Sequence, residues 1–278
     1  MAVGIVFADM DGTFVNSAKE ITPENRSILD ELVARGIELV PCSGRGVTGL
    51  PAELLAHPSV AHVVTANGAV ICERDAAAPG GWRTISRRVM PASTVLGLYE
   101  RMRDHDVTFD VFLDGQAYAE SFRYRNLERF GLGDAASAMF RGTRTQVDVT
   151  VPELLEGRDE VEKITSFWHD RADRDLLTSL AEADPTIMWV SSGGPNIEIN
   201  DAHATKGFGL SWLCGRLGIP VSEAVAFGDN LNDVTMLEAA GDGVAMGNAS
   251  AEALAAADHV TLDCDHSGVA AYLEAALV

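Results

Sequence analysis

Two aspartates one residue apart, Asp9 and Asp11, close a short apolar run at residues 3–8, in the stretch FADMDGT. A run of this length predicts a buried strand, and side chains at positions i and i+2 of a strand point to the same face. The two carboxylates are therefore expected to converge just past the strand, where they repel each other unless a cation lies between them. Gly12 permits the tight turn that must follow, and an Asx turn alone would account for these residues equally well.

A second acidic stretch, AFGDNLNDVTML at residues 226–237, has the same order of strand, glycine, acid and helix. Asp229 comes directly after the predicted strand, and Asp233 follows one helical turn later on the same face. A helix cap at Asn230 or Asn232 would explain one acid of this stretch but not the whole cluster.

These acids are expected to meet at one edge of a sheet. In open α/β sheets, ligands bind at the carboxyl ends of the strands, where Asp9, Asp11 and Asp229 would lie. Three carboxylates offer the oxygen ligands that a hard divalent cation takes, with positions left for water and a phosphate. The sequence therefore predicts a Mg2+ site.

A third stretch, VPCSGRG at residues 40–46, supplies groups that can hold an anion. The predicted strand at 37–40 delivers Ser43 and Gly44 into a loop before a helix, where a hydroxyl and backbone amides can bind phosphate. The Gly-x-Ser-x-Gly elbow of esterases is disfavoured, because Pro41 stands where that motif needs glycine. A serine helix cap explains the segment equally well by itself.

Lys206 begins a predicted helix in DAHATKGFGL, and a cation at a helix N-terminus opposes the helix dipole. The position therefore requires an anionic neighbour. The chain has 18 arginines and only two other lysines, Lys19 and Lys163. We interpret the compact ammonium of Lys206 as retained for its chemistry rather than as a solvated surface charge.

The composition restricts the classes of partner. A formal net charge of −20 over 278 residues argues against nucleic acid or an anionic membrane, whereas a small anionic ligand remains compatible with it. No apolar stretch reaches the roughly 18 residues of a membrane span, and no basic leader is present, so we expect a cytoplasmic monomer or small homo-oligomer. The four cysteines form no CxxC pair and are predicted to be buried thiols: Cys42, Cys72, Cys214 and Cys264.

Short apolar runs alternate with helical patterns at both ends of the chain, which predicts an α/β fold with a parallel sheet. The pattern changes in between, and we predict an inserted domain at residues 88–192, joined back by a Gly-Gly-Pro stretch. Residues 1–87 and 193–278 would then form one discontinuous core. The insertion is predicted to contain a strand at 147–151, and the core to resume with a strand at 197–200.

In this order, the stretches DMDGT, CSGR, TKG and GDNLND resemble the four motifs of the haloacid dehalogenase superfamily of phosphohydrolases. TANGA, NIEI and VAMGNAS resemble the Cof-type subfamily, class IIB, whose large α/β cap is inserted between the second and third motifs. The resemblance implies a Rossmann-like parallel-sheet core that carries the catalytic site, and a cap domain that selects the substrate. Phe14 and Ser267 depart from the common pattern, and Ser267 leaves the role of the C-terminal tail open.

The resemblance also implies roles for individual residues. Asp9 would be the nucleophile that forms an aspartyl-phosphate, and Asp11 the general acid and base. Mg2+ would be bound by the Asp9 carboxylate, the backbone carbonyl of Asp11 and Asp229, with Asp233 helping to hold the metal. The phosphoryl group would be contacted by Ser43, Gly44, Lys206, Asn232 and the backbone amides that follow Asp9, beginning with Met10.

These inferences predict a Mg2+-dependent phosphatase of small phosphorylated metabolites, with sugar phosphates as the favoured class. A phosphomutase would use the same aspartyl-phosphate and return the phosphoryl group to the substrate. A non-catalytic sensor would bind metal and phosphate without turnover. In the cap, Arg123, Tyr124, Arg125 and Trp168 are candidates for lining a substrate pocket, and helix faces or a strand core explain them as well.

Overall fold

The structure is a computed structural model that describes residues 2–192 and 196–277. These residues form sixteen strands and eleven α-helices, which are joined by loops and short 3₁₀ turns. The strands are β1 (Ile5–Ala8), β2 (Glu38–Pro41), β3 (His62–Thr65), β4 (Val70–Arg74), β5 (Trp82–Arg87), β6 (Met90–Pro91), β7 (Asp110–Leu113), β8 (Gln116–Glu120), β9 (Arg144–Val147), β10 (Glu160–Val161), β11 (Lys163–Ser166), β12 (Ile187–Val190), β13 (Ile197–Asp201), β14 (Ala224–Gly228), β15 (Asp242–Ala245) and β16 (His259–Val260). The helices are α1 (Pro23–Arg35), α2 (Ala52–Ala56), α3 (Ala92–Met102), α4 (Ser121–Tyr124), α5 (Asp134–Thr143), α6 (Val151–Leu154), α7 (Arg171–Glu182), α8 (Lys206–Leu217), α9 (Val234–Ala239), α10 (Ala251–Ala256) and α11 (Gly268–Ala276).

The first compact unit comprises Met1–Gly44, Leu50–Ser86 and Thr205–Val278. Its main sheet has five strands in the order β16-β15-β14-β1-β2, and every neighbouring pair is parallel. A smaller, three-stranded sheet has the order β3-β4-β5. The parallel sheet confirms the predicted α/β fold class.

Strand β1 lies between β14 and β2, with Phe7 opposite Ala226 on one side and Val40 on the other. The core beside these strands includes Leu210 and Leu213 of α8. This packing brings together strands from the two ends of the chain, so the residues that follow β1 and β14 meet at the same sheet edge.

The second compact unit comprises Arg45–Gly49 and Arg87–Ala204. Its six-stranded sheet has the order β12-β13-β11-β7-β8-β9 and is antiparallel except for the β8–β9 pair. Ile164 of β11 lies between Val111 of β7 and Ile199 of β13, in a core that also contains residues of α3 and α7. The interior of this unit is therefore separate from that of the parallel sheet.

Two element predictions are wrong. The strand predicted at 147–151 ends earlier, as β9, and Val151 starts α6, because Thr150 and Glu153 form a reciprocal capping box that favours a helix start. The strand predicted at 197–200 belongs to the second unit, since β13 pairs antiparallel with β11 and β12. Residues 193–195, the predicted joint, lie outside the described residues.

All four cysteines are buried thiols outside any disulfide, as the sequence predicts. Among the helices of the described residues, none combines the length and the apolar character that a bilayer span requires.

Candidate active site

Asp9 follows β1 directly and is buried. Its backbone N–H donates to the carbonyl oxygen of Phe227 at 2.9 Å, so the hydrogen bonding of the sheet continues one residue beyond the strand. The chain then turns, and the N–H of Phe14 donates back to the Asp9 carbonyl oxygen at 3.1 Å. The Asp9 backbone is thereby fixed at the carboxyl end of the strand, where the sequence predicts it.

Asp229 and Asp233 lie beyond the neighbouring strand β14. Oδ2 of Asp233 accepts hydrogen bonds from the backbone N–H groups of Asp229 and Asn230, each at 3.0 Å. These bonds close a 3₁₀ turn at Leu231–Asp233 that leads into α9. Asp233 therefore does cap a helical turn, and it is also a fully buried charge.

Lys206 supplies the counter-charge for this acidic cluster. Thr205 caps the helix by accepting the N–H of Phe208 at 3.0 Å, which places Lys206 at the first position of α8. The Lys206 ammonium is fully buried and donates to Oδ1 of Asp9 and Oδ1 of Asp233, both at 2.5 Å. The anionic neighbours that this helix position requires are thus two carboxylates.

The carboxylates of Asp9, Asp229 and Asp233 form a compact group, with one oxygen from each within 4.8 Å of the others. Burial raises the pKa of Asp9 well above its usual value; Lys206 opposes this, and the two other carboxylates add to it. Burial and the Asp233 charge raise the pKa of Asp229 to about 6. Burial disfavours the Lys206 ammonium, but Asp233 and Asp9 outweigh it and raise the pKa of Lys206 above its usual value.

The donor set fits a divalent cation. One ammonium faces three carboxylates, so two negative charges are left without compensation when all four groups are ionised. Carboxylate oxygens are the ligands that Mg2+ takes in proteins, and a bound cation would oppose the burial and the neighbouring carboxylates that raise the pKa of Asp9. Asp9 and Asp229 are close enough together to share such an ion, which is the arrangement on which the Mg2+ prediction depends.

Asp11 differs from the expectation that both carboxylates of the pair converge. Its carboxylate accepts a hydrogen bond from the ammonium of Lys19 at 2.9 Å, and its side chain is 30% exposed. The group of three carboxylates contains Asp9 but not Asp11. The turn around Gly12 breaks the regular alternation of the strand, so the i, i+2 rule does not reach the second aspartate.

The loop after β2 also differs in one respect. The backbone N–H of Ser43 donates to the carbonyl oxygen of Val64 at 2.9 Å, next to an isolated parallel bridge between Cys42, which follows β2, and Val64 of β3. This amide is therefore not available to an anion, and any contact from Ser43 falls to its hydroxyl. Gly44 is the last residue of this stretch that belongs to the first unit.

Asn232 and Asn67 join two further motifs. The Asn232 side-chain amide donates to Oδ1 of Asn67 at 3.3 Å, and the backbone N–H of Asn67 donates to the Ser43 carbonyl oxygen at 3.0 Å. Asn232 and Ser43 are thus connected through Asn67. Met10 is buried, and its carbonyl oxygen accepts the N–H of Val15 at 2.8 Å within the turn after β1.

Several residues near the site carried no assigned role in the sequence interpretation. Thr13, of the turn after β1, donates its hydroxyl to Oδ1 of Asp229 at 3.0 Å. Asn67 has a left-handed backbone (φ 58°), for which the Asn-Gly pair in TANGA was the available signal. Lys19 and Asn248 reach the site through contacts that no local pattern indicates.

The departure at Ser267 has a structural explanation. Ser267 adopts a left-handed conformation (φ 54°) directly before α11, and its hydroxyl contacts Thr22 at 2.8 Å and Glu24 at 2.9 Å. Ser267 therefore joins the C-terminal tail to the start of α1.

In the second unit, Arg123 forms an ion pair with Glu120 at 2.7 Å, so this candidate for lining a substrate pocket has a structural partner.

Gly12 lies against Asp229 of the second acidic stretch. Its φ is +89°, and a Cβ added there would lie 2.6 Å from Oδ2 of Asp229. We expect Gly12→Ala to lower turnover at least about tenfold, because the methyl group must displace Asp229. Initial rates at fixed Mg2+ measure this. Gly218→Ala is the matched control: Gly218 also has a positive φ (+72°), but its added Cβ meets no atom within 4 Å. Equal rates for the two variants would contradict the assignment of Asp229 to the site.

A family profile described as haloacid dehalogenase-like hydrolase matches residues 6–273 of this chain. The chain belongs to the haloacid dehalogenase-like hydrolase family. The match covers both compact units and confirms the resemblance inferred from the motifs, including its Cof-type branch.

Relatives of this hydrolase family match over nearly the full chain. Phosphatase YwpJ of Bacillus subtilis (strain 168) is 29% identical, over 96% of this chain and 97% of its own. 5-Amino-6-(5-phospho-D-ribitylamino)uracil phosphatase YwtE of the same organism is 27% identical, over 96% and 95%. Among solved structures, a haloacid dehalogenase-like hydrolase from B. subtilis has a TM-score of 0.82 and 28% identity, over 96% of this chain and 98% of its own.

Proposed function

We propose that this hydrolase is a Mg2+-dependent phosphatase of small phosphorylated metabolites that works through an aspartyl-phosphate on Asp9. One observation carries the proposal: the Lys206 ammonium is 2.5 Å from both Asp9 and Asp233, inside a group of three carboxylates whose oxygens lie within 4.8 Å. A buried nucleophilic carboxylate that faces both a fixed cation and a cation-binding group is suited to attack an anionic phosphorus.

Asp9, the carbonyl oxygen of Asp11 and Asp229 would hold the metal, with Asp233 in support. When bound, Mg2+ supplies positive charge that offsets the repulsion between the Asp9 carboxylate and the phosphoryl group. Lys206 holds Oδ1 of Asp9 at 2.5 Å, which leaves the second carboxylate oxygen of Asp9 to act as nucleophile. Lys206 also contributes a charge that does not depend on the metal.

In the first step, a bond forms between the Asp9 oxygen and phosphorus while the bond from phosphorus to the substrate oxygen breaks. Asp11, when it is protonated rather than paired as a carboxylate with Lys19, gives its proton to that leaving oxygen. In the second step, water attacks the phosphorus, Asp11 takes the water proton, and the bond to Asp9 breaks to release phosphate. The partly exposed position of the Asp11 side chain, at 30%, supports a role in exchanging protons with substrate and solvent.

The substrate class we propose is a phosphate ester of a small hydroxylated molecule, with sugar phosphates favoured. The relative YwtE is named for a substrate whose phosphate is on a ribityl chain, and YwpJ is named as a phosphatase. We further propose that residues 88–192 select the leaving group. The net charge of −20 supports a small ligand rather than nucleic acid or an anionic membrane.

A panel of phosphate esters assayed with Mg2+ and with a chelator tests the proposal. We expect phosphate release with Mg2+, a fall of at least about a hundredfold on chelation, and recovery when Mg2+ is restored. Activity that survives complete chelation would overturn the metal dependence. Transfer of labelled phosphate to a second sugar hydroxyl would indicate a phosphomutase instead, and Mg2+-dependent ligand binding without turnover on any ester would indicate a sensor.

A further inference from the structure

Asn248, in the loop after β15, joins three separate parts of the first unit through one side-chain amide. Its Nδ2 donates to the carbonyl oxygen of Gly12 at 2.9 Å and lies 3.5 Å from Oδ2 of Asp229. Its Oδ1 accepts the backbone N–H of Cys264 at 2.9 Å. The turn after β1, the end of β14 and the C-terminal segment therefore meet at this residue.

The polarity of the neighbours fixes the orientation of this amide. The Cys264 N–H can only donate, so it must face the amide oxygen of Asn248. The Gly12 carbonyl can only accept, so it must face the NH2 group. A flipped amide would place oxygen against oxygen and N–H against N–H. Asparagine at 248 thus satisfies both neighbours in one orientation only.

Asn248 lies beside Asp229, which is a proposed metal ligand. Thr13 holds Oδ1 of Asp229 at 3.0 Å, and the NH2 group of Asn248 approaches the other oxygen, Oδ2. The same NH2 group holds the Gly12 carbonyl, which follows directly on Asp11 in the turn. Asn248 therefore acts on both the Asp229 carboxylate and the turn that presents the Asp11 carbonyl.

We propose that Asn248 is a positioning residue for the cation site: it sets the distance and orientation of Asp229 relative to the turn after β1. The proposal rests on the proposed function, because it assigns the same three carboxylates to Mg2+. Asn248 acts through Asp229 and Gly12 rather than by touching the phosphoryl group. Groups hydrogen-bonded to metal ligands typically change metal affinity by about 10- to 100-fold when removed.

The test measures Mg2+ binding without substrate, by isothermal titration calorimetry on wild type, Asn248→Ala and Asn248→Ser. We expect the Mg2+ Kd to rise at least about tenfold in both variants. Asn16→Ala is the matched control, since Asn16 also accepts a backbone N–H through Oδ1, from Glu20 at 2.9 Å, in the same segment that follows β1. This control should keep the wild-type Kd.

Turnover gives a second readout. The Mg2+ concentration for half-maximal rate should rise in Asn248→Ala by the same factor as the Kd, while KM for the ester at saturating Mg2+ stays within about twofold. A purely structural role would lower thermal stability and leave the Kd of the folded protein unchanged, and that result would overturn the inference alone. A wild-type protein that binds no Mg2+ would overturn both the inference and the proposed function.

Discussion

Asp9→Asn is expected to reduce turnover of an aryl phosphate by at least about a thousandfold while the protein stays folded. The amide keeps the shape of the carboxylate and an oxygen that can accept a hydrogen bond from the Lys206 ammonium. In the wild-type protein this ammonium is 2.5 Å from Oδ1 of Asp9. It lacks the anionic oxygen that must bond to phosphorus, so the aspartyl-phosphate cannot form. The free energy of unfolding should not fall, because the substitution removes one of three neighbouring carboxylates. Burial of Asp9 and the two other carboxylates raise its pKa, so its charge is unfavourable in the folded protein.

The measurement combines initial rates with thermal unfolding and with acid-quench detection of labelled phosphoenzyme. Asp104→Asn makes the same chemical change at a side chain that is 89% exposed and should keep wild-type rates. Labelled phosphoenzyme in the wild type and its absence in Asp9→Asn would support the nucleophile assignment. Full activity in folded Asp9→Asn would refute it.

Lys206→Met is expected to lower both activity and stability. Methionine fills a similar volume but leaves Asp9 and Asp233 as buried carboxylates without an ammonium partner. In the native protein the Lys206 ammonium is 2.5 Å from each of them. Breaking a buried ion pair in this way costs about 3–5 kcal/mol in the free energy of unfolding. Turnover should fall at least about a hundredfold, because a fixed charge near the transferring group is lost.

Urea unfolding with a chelator and with Mg2+ separates the two contributions. We expect the loss of stability in Lys206→Met to be larger with the chelator, because a bound cation offsets part of the unpaired charge. Lys163→Met is the control for loss of a buried ion pair, since Lys163 is also buried and pairs with Glu198 at 2.9 Å in the second unit. It should be destabilised and keep kcat within about tenfold of wild type. A fully active Lys206→Met would show that the metal alone balances the charge.

The candidate site was predictable to the extent that its signals are local. A strand end, a following acid and a tight turn are encoded within a few residues, so Asp9 and Asp229 could be placed at strand ends from the sequence alone. The expectation of an anionic neighbour for Lys206 follows from its position at a helix N-terminus, where the helix dipole disfavours a cation. The order of four motifs then identified the family.

The contacts that complete the site were not predictable in the same way. No pattern of spacing in the sequence indicates that the residues of these contacts lie close together. The contacts are those of Lys19 with Asp11, of the Val64 carbonyl with the Ser43 amide, and of Asn248 with Gly12 and Cys264. Each depends on where a turn leaves the strand geometry or on which loops pack side by side.

An α/β core with an acidic sheet edge could be derived from the sequence, because hydrophobic period and turn chemistry act over short distances along the chain. The folded structure was needed to show that β13 joins the second sheet, through pairing with β11 and β12, and that Asn248 reaches Asp229. Strand pairing and long-range hydrogen bonds are selected by the packing of the whole chain. A strand's own residues are compatible with more than one neighbour, so its place in a sheet cannot be derived from them alone.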